Sequence, residues 1–152
     1  MEYKSCASYK IKNTVFIQPY ATTTDGLSQL DGPVFSAEEE NILELGNNIL
    51  KAIEDAGKII PHPNQEQWKI LLKESPLLKA TKMKTWNTLK KKAQYVDIEN
   101  ITGTFNLTPS CFGGPTGNKK GFHLLTEKVI TCTDLSPETL GKSLIQAFEL
   151  CE

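Results

Sequence analysis

Arginine is missing from this chain: all 17 basic residues among its 152 are lysines. A protein without guanidinium groups lacks the planar fork that reads guanine edges and grips phosphate in bidentate fashion, so sequence-specific DNA binding is not the expected activity. Net charge is also scarce, at -1 with a pI near 6.2, which excludes a generally basic nucleic-acid binder. Only two histidines occur, His62 and His123, and neither sits at metal-ligand spacing from another ligand type. The four cysteines, Cys6, Cys111, Cys132 and Cys151, form no CxxC pair, so neither a metal nor a redox site is expected and no cofactor is implied. No run approaches the roughly 20 apolar residues that span a bilayer, and the first 14 residues, MEYKSCASYKIKNT, contain no apolar signal core. These absences predict a cytoplasmic protein with reduced, mostly structural thiols.

What is present is organised around the stretch from Ser36 to Gly57. Ser36 and Glu39 have the spacing of a capping box, and Ile42, Leu45, Ile49, Ala52, Ile53 and Ala56 recur at helical spacing, widened by Leu50. A long helix with one buried face is predicted, ended by Gly57. Its other face carries Glu38, Glu40, Glu44 and Asp55. Residues 13–57 as a whole hold one lysine against eight acidic residues, whereas residues 58–92 hold nine lysines against two. The charge is thus segregated although it nearly cancels.

At this length and 39% hydrophobic content, one domain over residues 1–152 is expected. Thr14–Gln18 reads as a first strand ended by Pro19, followed by a turn-rich loop with Asp25-Gly26 and Asp31-Gly32 and a brief strand at residues 33–35. Asn64 and Gln67 should open a second helix that buries Trp68, Leu71 and Leu72 and stops at Pro76. A lysine-dense helix is predicted from about Thr85, with Met83, Trp86, Leu89 and Ala93 on its apolar side. Strands are expected at 95–99, 102–107 and 128–132, with a glycine-rich loop over 109–125. Ser136-Pro137 should start a terminal helix with Leu140, Leu144, Ile145, Phe148 and Cys151 inward. The fold class is α+β, an antiparallel sheet packed against the long central helix and the C-terminal helix.

Three patterns invite chemistry. Gly113, Gly114, Gly117 and Gly121 match neither GxxxxGK[ST] nor GxGxxG, so a phosphate cradle is not indicated. Cys111 or Cys132 with His123 has the makings of a nucleophile and base, but no orienting group or oxyanion pocket is marked. The lysines at 79, 82, 84, 90, 91 and 92 around Trp86 suit either RNA contact or a solvated helix face, and the second fits a domain that is not basic overall.

Several stretches together resemble the immunity proteins of contact-dependent growth inhibition systems: IQPYATTTDG at 17–26, PVF at 33–35, ELGNNILKAIEDAG at 44–57, KTWNTLKKKAQYVDI at 84–98, GGPTGNKKGFHLL at 113–125 and LSPETLGKSLIQAFELCE at 135–152. They follow the family's order and span most of the chain; SPETLG…AF…C and IQPY are the best of them. The family's sequences contain arginine and this one has none, a departure that bears on charge contacts and not on the fold. The resemblance implies a non-enzymatic, cofactor-free protein, monomeric when free, which binds the cognate toxin C-terminal domain as a 1:1 heterodimer without touching nucleic acid or membrane. The toxin so implied is a nuclease, an RNase in preference to a DNase. Such a toxin is basic around its active site, and an acidic surface would speed encounter and block substrate. The expected contact residues are Tyr20 as an aromatic anchor with Asp25, Asp31, Glu38, Glu40 and Glu44. The alternative from another class is a small cytoplasmic hydrolase or transferase using the glycine-rich loop and His123.

Overall fold

Two long hairpins form the middle of the sheet. In the computed structural model, which describes residues 3–152, Tyr3–Ile11 (β1) turns through Lys12 and Asn13 into Thr14–Thr23 (β2). Gln94–Ile101 (β6) turns through Thr102 and Gly103 into Thr104–Phe112 (β7). Thr102 and Gly103 both have positive φ, 50° and 89°, the requirement of a type I′ turn, whose twist matches that of the strands it joins. β1 pairs antiparallel with β6, so the four strands run β2-β1-β6-β7. Each outer strand then takes short partners: β2 pairs with Ser28–Leu30 (β3), Phe35–Glu38 (β4) and, in parallel, Ile59–Ile60 (β5), and β7 pairs with Phe122–Leu124 (β8) and Ile130–Cys132 (β9).

The first strand found, β1, was not expected, because its core is Ser5, Cys6, Ala7 and Ser8. All four are buried, yet they are small and lack the hydrophobic alternation of a one-sided strand. Ser8 meets its buried position by donating its hydroxyl to the Val96 carbonyl at 2.7 Å. β2 does not end at Pro19. β4 stops opposite Ile17 and β3 begins opposite Tyr20, so the proline's missing N–H falls in the gap between two partners, while its carbonyl accepts from Asp31 N at 3.0 Å.

Ile42–Asp55 (α1) begins six residues later than Ser36. The predicted capping box does not form: Phe35–Glu38 is committed to pairing with β2, Glu39 N donates to the Asn13 carbonyl at 2.7 Å, and the Glu39 carboxylate meets Lys10 Nζ at 2.6 Å. Sheet hydrogen bonds have claimed the residues that would have capped the helix. The rest of the expected helix stands, with Leu45, Ile49, Ala52 and Ile53 buried and Gly57, at φ 82°, just past the C-cap residue Ala56. The C-terminal helix Pro137–Glu149 (α5) also forms as expected, its Ser136 hydroxyl accepting from Thr139 N. Gly46 of α1 faces the Pro137 carbonyl, and Gly141 of α5 faces the Ile42 carbonyl, so closely that a Cβ would lie 1.8 and 2.1 Å from those oxygens. Two interior glycines therefore let the helices touch backbone to backbone. α1 and α5 close one sheet face over Val15, Ile17, Val96, Ile98, Phe105 and Leu107.

Three short helices lie on the opposite side, of which the second and third pack on the sheet. Gln65–Lys73 (α2) has the expected capping box, with Asn64 and Gln67 bonded reciprocally. It buries no residue, however: Trp68 is half-buried and Leu71 and Leu72 are exposed, contrary to the sequence reading. Pro76 does not merely end α2 but occupies the first turn of a further helix, Pro76–Thr81 (α3), capped by Ser75. Trp86–Lys92 (α4) starts after Thr85 as expected. Leu77, Leu78, Leu89 and Ala93 from these helices pack with Ala7, Tyr9 and Tyr95 of the sheet. The expected strand at 102–107 is shifted, because residues 102 and 103 are the turn; that at 128–132 begins only at Ile130, after a 3-10 turn at Thr126–Lys128. Among the described residues no helix is long and apolar enough to cross a membrane.

Candidate functional site

The fold separates the acidic residues expected at a contact surface. Glu38 at the end of β4, Glu40 in the following turn and Glu44 in the first turn of α1 are all exposed and form one group. Thr14 donates to Glu38, and Asn41 Nδ2 donates to Glu44 Oε2 at 2.7 Å. Asp25 lies in the turn after the far end of β2, its carboxylate 3.7 Å from His62 Nε2. Since Glu38 pairs with Thr14 and Asp25 follows Thr23, the length of β2 puts about 30 Å between the two groups. Asp31 sits between them, half-buried beside Pro19.

Tyr20 turns inward. Its hydroxyl lies 3.0 Å from that of Tyr95, which donates in turn to Asp97 Oδ1 at 2.9 Å; Tyr20 is therefore the donor to Tyr95, and the chain of hydrogen bonds ends on the carboxylate. Burial pushes the Tyr20 hydroxyl up to about 12 and Tyr95 well above the ordinary phenol range. Burial also raises Asp97, against the opposing effect of the Tyr95 hydrogen bond. The folded carboxyl thus holds its proton to higher pH than the unfolded one, so the stability linked to it is full below the unfolded value and is lost as pH rises through the folded value. Asp97→Asn, which keeps the Oδ1 acceptor, should be more stable than the native protein near neutral pH and match it more closely near pH 4. Thermal melts at the two pH values check this.

Beside Tyr20, a cavity of about 420 Å³ opens between β2, β3 and helices α2 to α4. Trp68, Leu71 and Trp86 supply much of its apolar lining, and Asp31 and Glu74 its only ionisable carboxylates. A second hollow of about 380 Å³ adjoins it, sharing Gln29, Asp31, Ile70 and Leu71. Three buried polar atoms have no hydrogen-bond partner among the described residues: Gln18 Oε1, Gln29 Oε1 and Trp86 Nε1. All three residues line the larger cavity. A buried polar group left unpaired costs about 1–3 kcal/mol, and such groups are rare enough in folded proteins that three around one space mark it out.

With this geometry in hand, comparison with known proteins is informative at the level of fold. No protein-family model matches the chain, and no curated protein does. Among solved structures, a chain of a CdiA-CT/CdiI toxin and immunity complex from Yersinia pseudotuberculosis superposes with a TM-score of 0.75 at 16% identity, over 100% of this chain and 99% of that one. The fold is shared end to end. A protein of unknown function from Neisseria meningitidis is similar too, at TM-score 0.74 and 18% identity, covering 99% of this chain and 96% of that one. The α+β architecture read from the sequence, an antiparallel sheet against a long helix and a C-terminal helix, is the one observed, and it is shared with that chain.

The glycine-rich segment is more ordered than a loop reading implies. It contains β8, and Phe122 stacks 5.4 Å from Tyr95 and 5.1 Å from Phe112, which draws the segment onto the sheet. Gly113 and Gly121 exchange backbone bonds with Gly121 and Gly114 across its base. Cys111 and His123 do become opposite neighbours in the β7–β8 register, but His123 Nε2 is 2.7 Å from the Lys119 carbonyl, so the ring closes the loop. Among the described residues no group of three or more His, Cys, Asp or Glu is placed to hold a metal ion. Sequence reasoning missed Gln18, Gln29, Tyr95 and Asp97 as a group. One signal was present: Phe16, Gln18 and Tyr20 alternate onto one sheet face, and a glutamine between two aromatics there is an unusual choice for plain packing.

Proposed function

We propose that this chain is an immunity protein, a stoichiometric inhibitor that binds and neutralises the toxin domain of a contact-dependent growth inhibition effector. The observation that carries this reading is the full-length likeness to a chain of a toxin and immunity complex, joined to the sequence resemblance. The partner is a single toxin C-terminal domain, a nuclease and more specifically an RNase, bound one to one by an otherwise monomeric cytoplasmic protein. The exposed group Glu38, Glu40 and Glu44 is the strongest candidate contact, because three carboxylates at the β4–α1 junction, none in an ion pair among the described residues, suit a surface built to attract RNA. Asp31, which lines the cavity, and Asp25, beside His62 at the far end of β2, are secondary candidates set apart from that group. Tyr20, with its hydroxyl bonded inward, offers a partner only its ring.

Inducing the toxin domain encoded immediately upstream, with and without this chain in the same cells, tests the role. Growth should be restored by this chain and not by an immunity protein paired with an unrelated toxin. Persistent growth arrest with the chain expressed and folded would refute it.

A further inference from the structure

The larger cavity is more than a gap under the short helices. Gln18 is 1% exposed, and its amide is oriented by Nε2 donating to the Gly32 carbonyl at 3.0 Å, which leaves Oε1 as an unpaired acceptor. Gln29 Oε1 is a second unpaired acceptor, and Trp86 Nε1, which can only donate, is an unpaired donor. An occupant satisfying all three must carry N–H groups for the two glutamines and a carbonyl for the indole. Indole and phenol rings from Trp68, Trp86 and Tyr20 line the same space, which favours a flat molecule. The carboxylates of Asp31 and Glu74 line it as well, with no lysine among the lining residues, so a phosphorylated or otherwise anionic ligand is disfavoured. A volume of about 420 Å³ is in the range of small-molecule sites.

We infer that this cavity is a binding site for a neutral, planar cyclic amide of nucleobase size, held by Gln18, Gln29 and Trp86. The cavity is open along α2, where Ile70, Leu71 and Leu72 are exposed, and the three polar atoms lie under neighbouring side chains at its inner wall, so an occupant reaches them by displacing those side chains. The site does not depend on the toxin-binding role.

The chain has two tryptophans, and both line the cavity, so indole N–H resonances report on it directly. In nitrogen-15 spectra of the intact protein, uracil should shift one indole signal saturably, and Trp86→Phe should remove that signal. Uridine in a parallel titration distinguishes a site for the free base from one for the nucleoside. Uridine monophosphate should bind at least about tenfold more weakly than uridine, and 1,3-dimethyluracil, which has no N–H donor, should not bind. Gln29→Met, at a half-exposed position that leaves the core intact, should weaken uracil about tenfold. The inference is overturned if neither uracil nor uridine shifts the Trp86 signal at millimolar concentration, if dimethyluracil binds as well as uracil, or if folded Gln29→Met binds unchanged.

Discussion

Gly46→Ala should destabilise the protein by about 3 kcal/mol, even though alanine is the better helix former by about 1 kcal/mol. The added methyl would lie 1.8 Å from the Pro137 carbonyl oxygen, a backbone atom that cannot swing aside as a side chain would. α1 and α5 must then separate, loosening a face that includes the fully buried Leu45, Ile49, Leu144 and Phe148. Gly141→Ala should act in the same way, through the Ile42 carbonyl at 2.1 Å. Since either substitution pries open the same crossing, the double variant should lose less than the two single losses together. Urea denaturation of the three variants measures all of this. A Gly46→Ala protein as stable as the native one would mean that the helices are not in backbone contact.

Reversing Glu38, Glu40 and Glu44 together to lysine should weaken toxin binding by roughly a hundredfold, about 2.7 kcal/mol, with most of the loss in the association rate. All three side chains are exposed, and none takes part in an ion pair among the described residues, so the fold should survive. The same reversal at Asp25, at the other end of β2, should matter less if the group at the β4–α1 junction leads the encounter. Stopped-flow association rates for both variants separate the two ends; an unchanged rate for the triple variant would remove this face from the account.

The parts of the fold that the sequence disclosed are those governed by local physics. The stripe of α1, the Asn64 and Ser136 caps and the start of α4 near Thr85 all rest on spacings within a few residues of one another. What stayed hidden depends on distant partners. Ser36 and Glu39 look like a helix start until β2 takes them as a strand and Lys10 takes the carboxylate. Ser5 to Ser8 look like a polar tail until helices cover both sheet faces. Leu71 and Leu72 look buried because nothing local shows that α2 lies on the rim of a cavity. The candidate site was less legible than the fold. The acidic residues were visible as a cluster in sequence, yet β2 spreads them over its full length, while Gln18, Gln29 and Trp86 converge from three separate elements.

The central claim is that this chain binds a toxin domain stoichiometrically, and calorimetric titration with the domain encoded immediately upstream, at low and at high salt, tests it most directly. The account predicts tight binding at a ratio of one to one that weakens as salt rises, because complementary exposed charges are screened. Absence of heat and of complex formation at either salt concentration would contradict the claim.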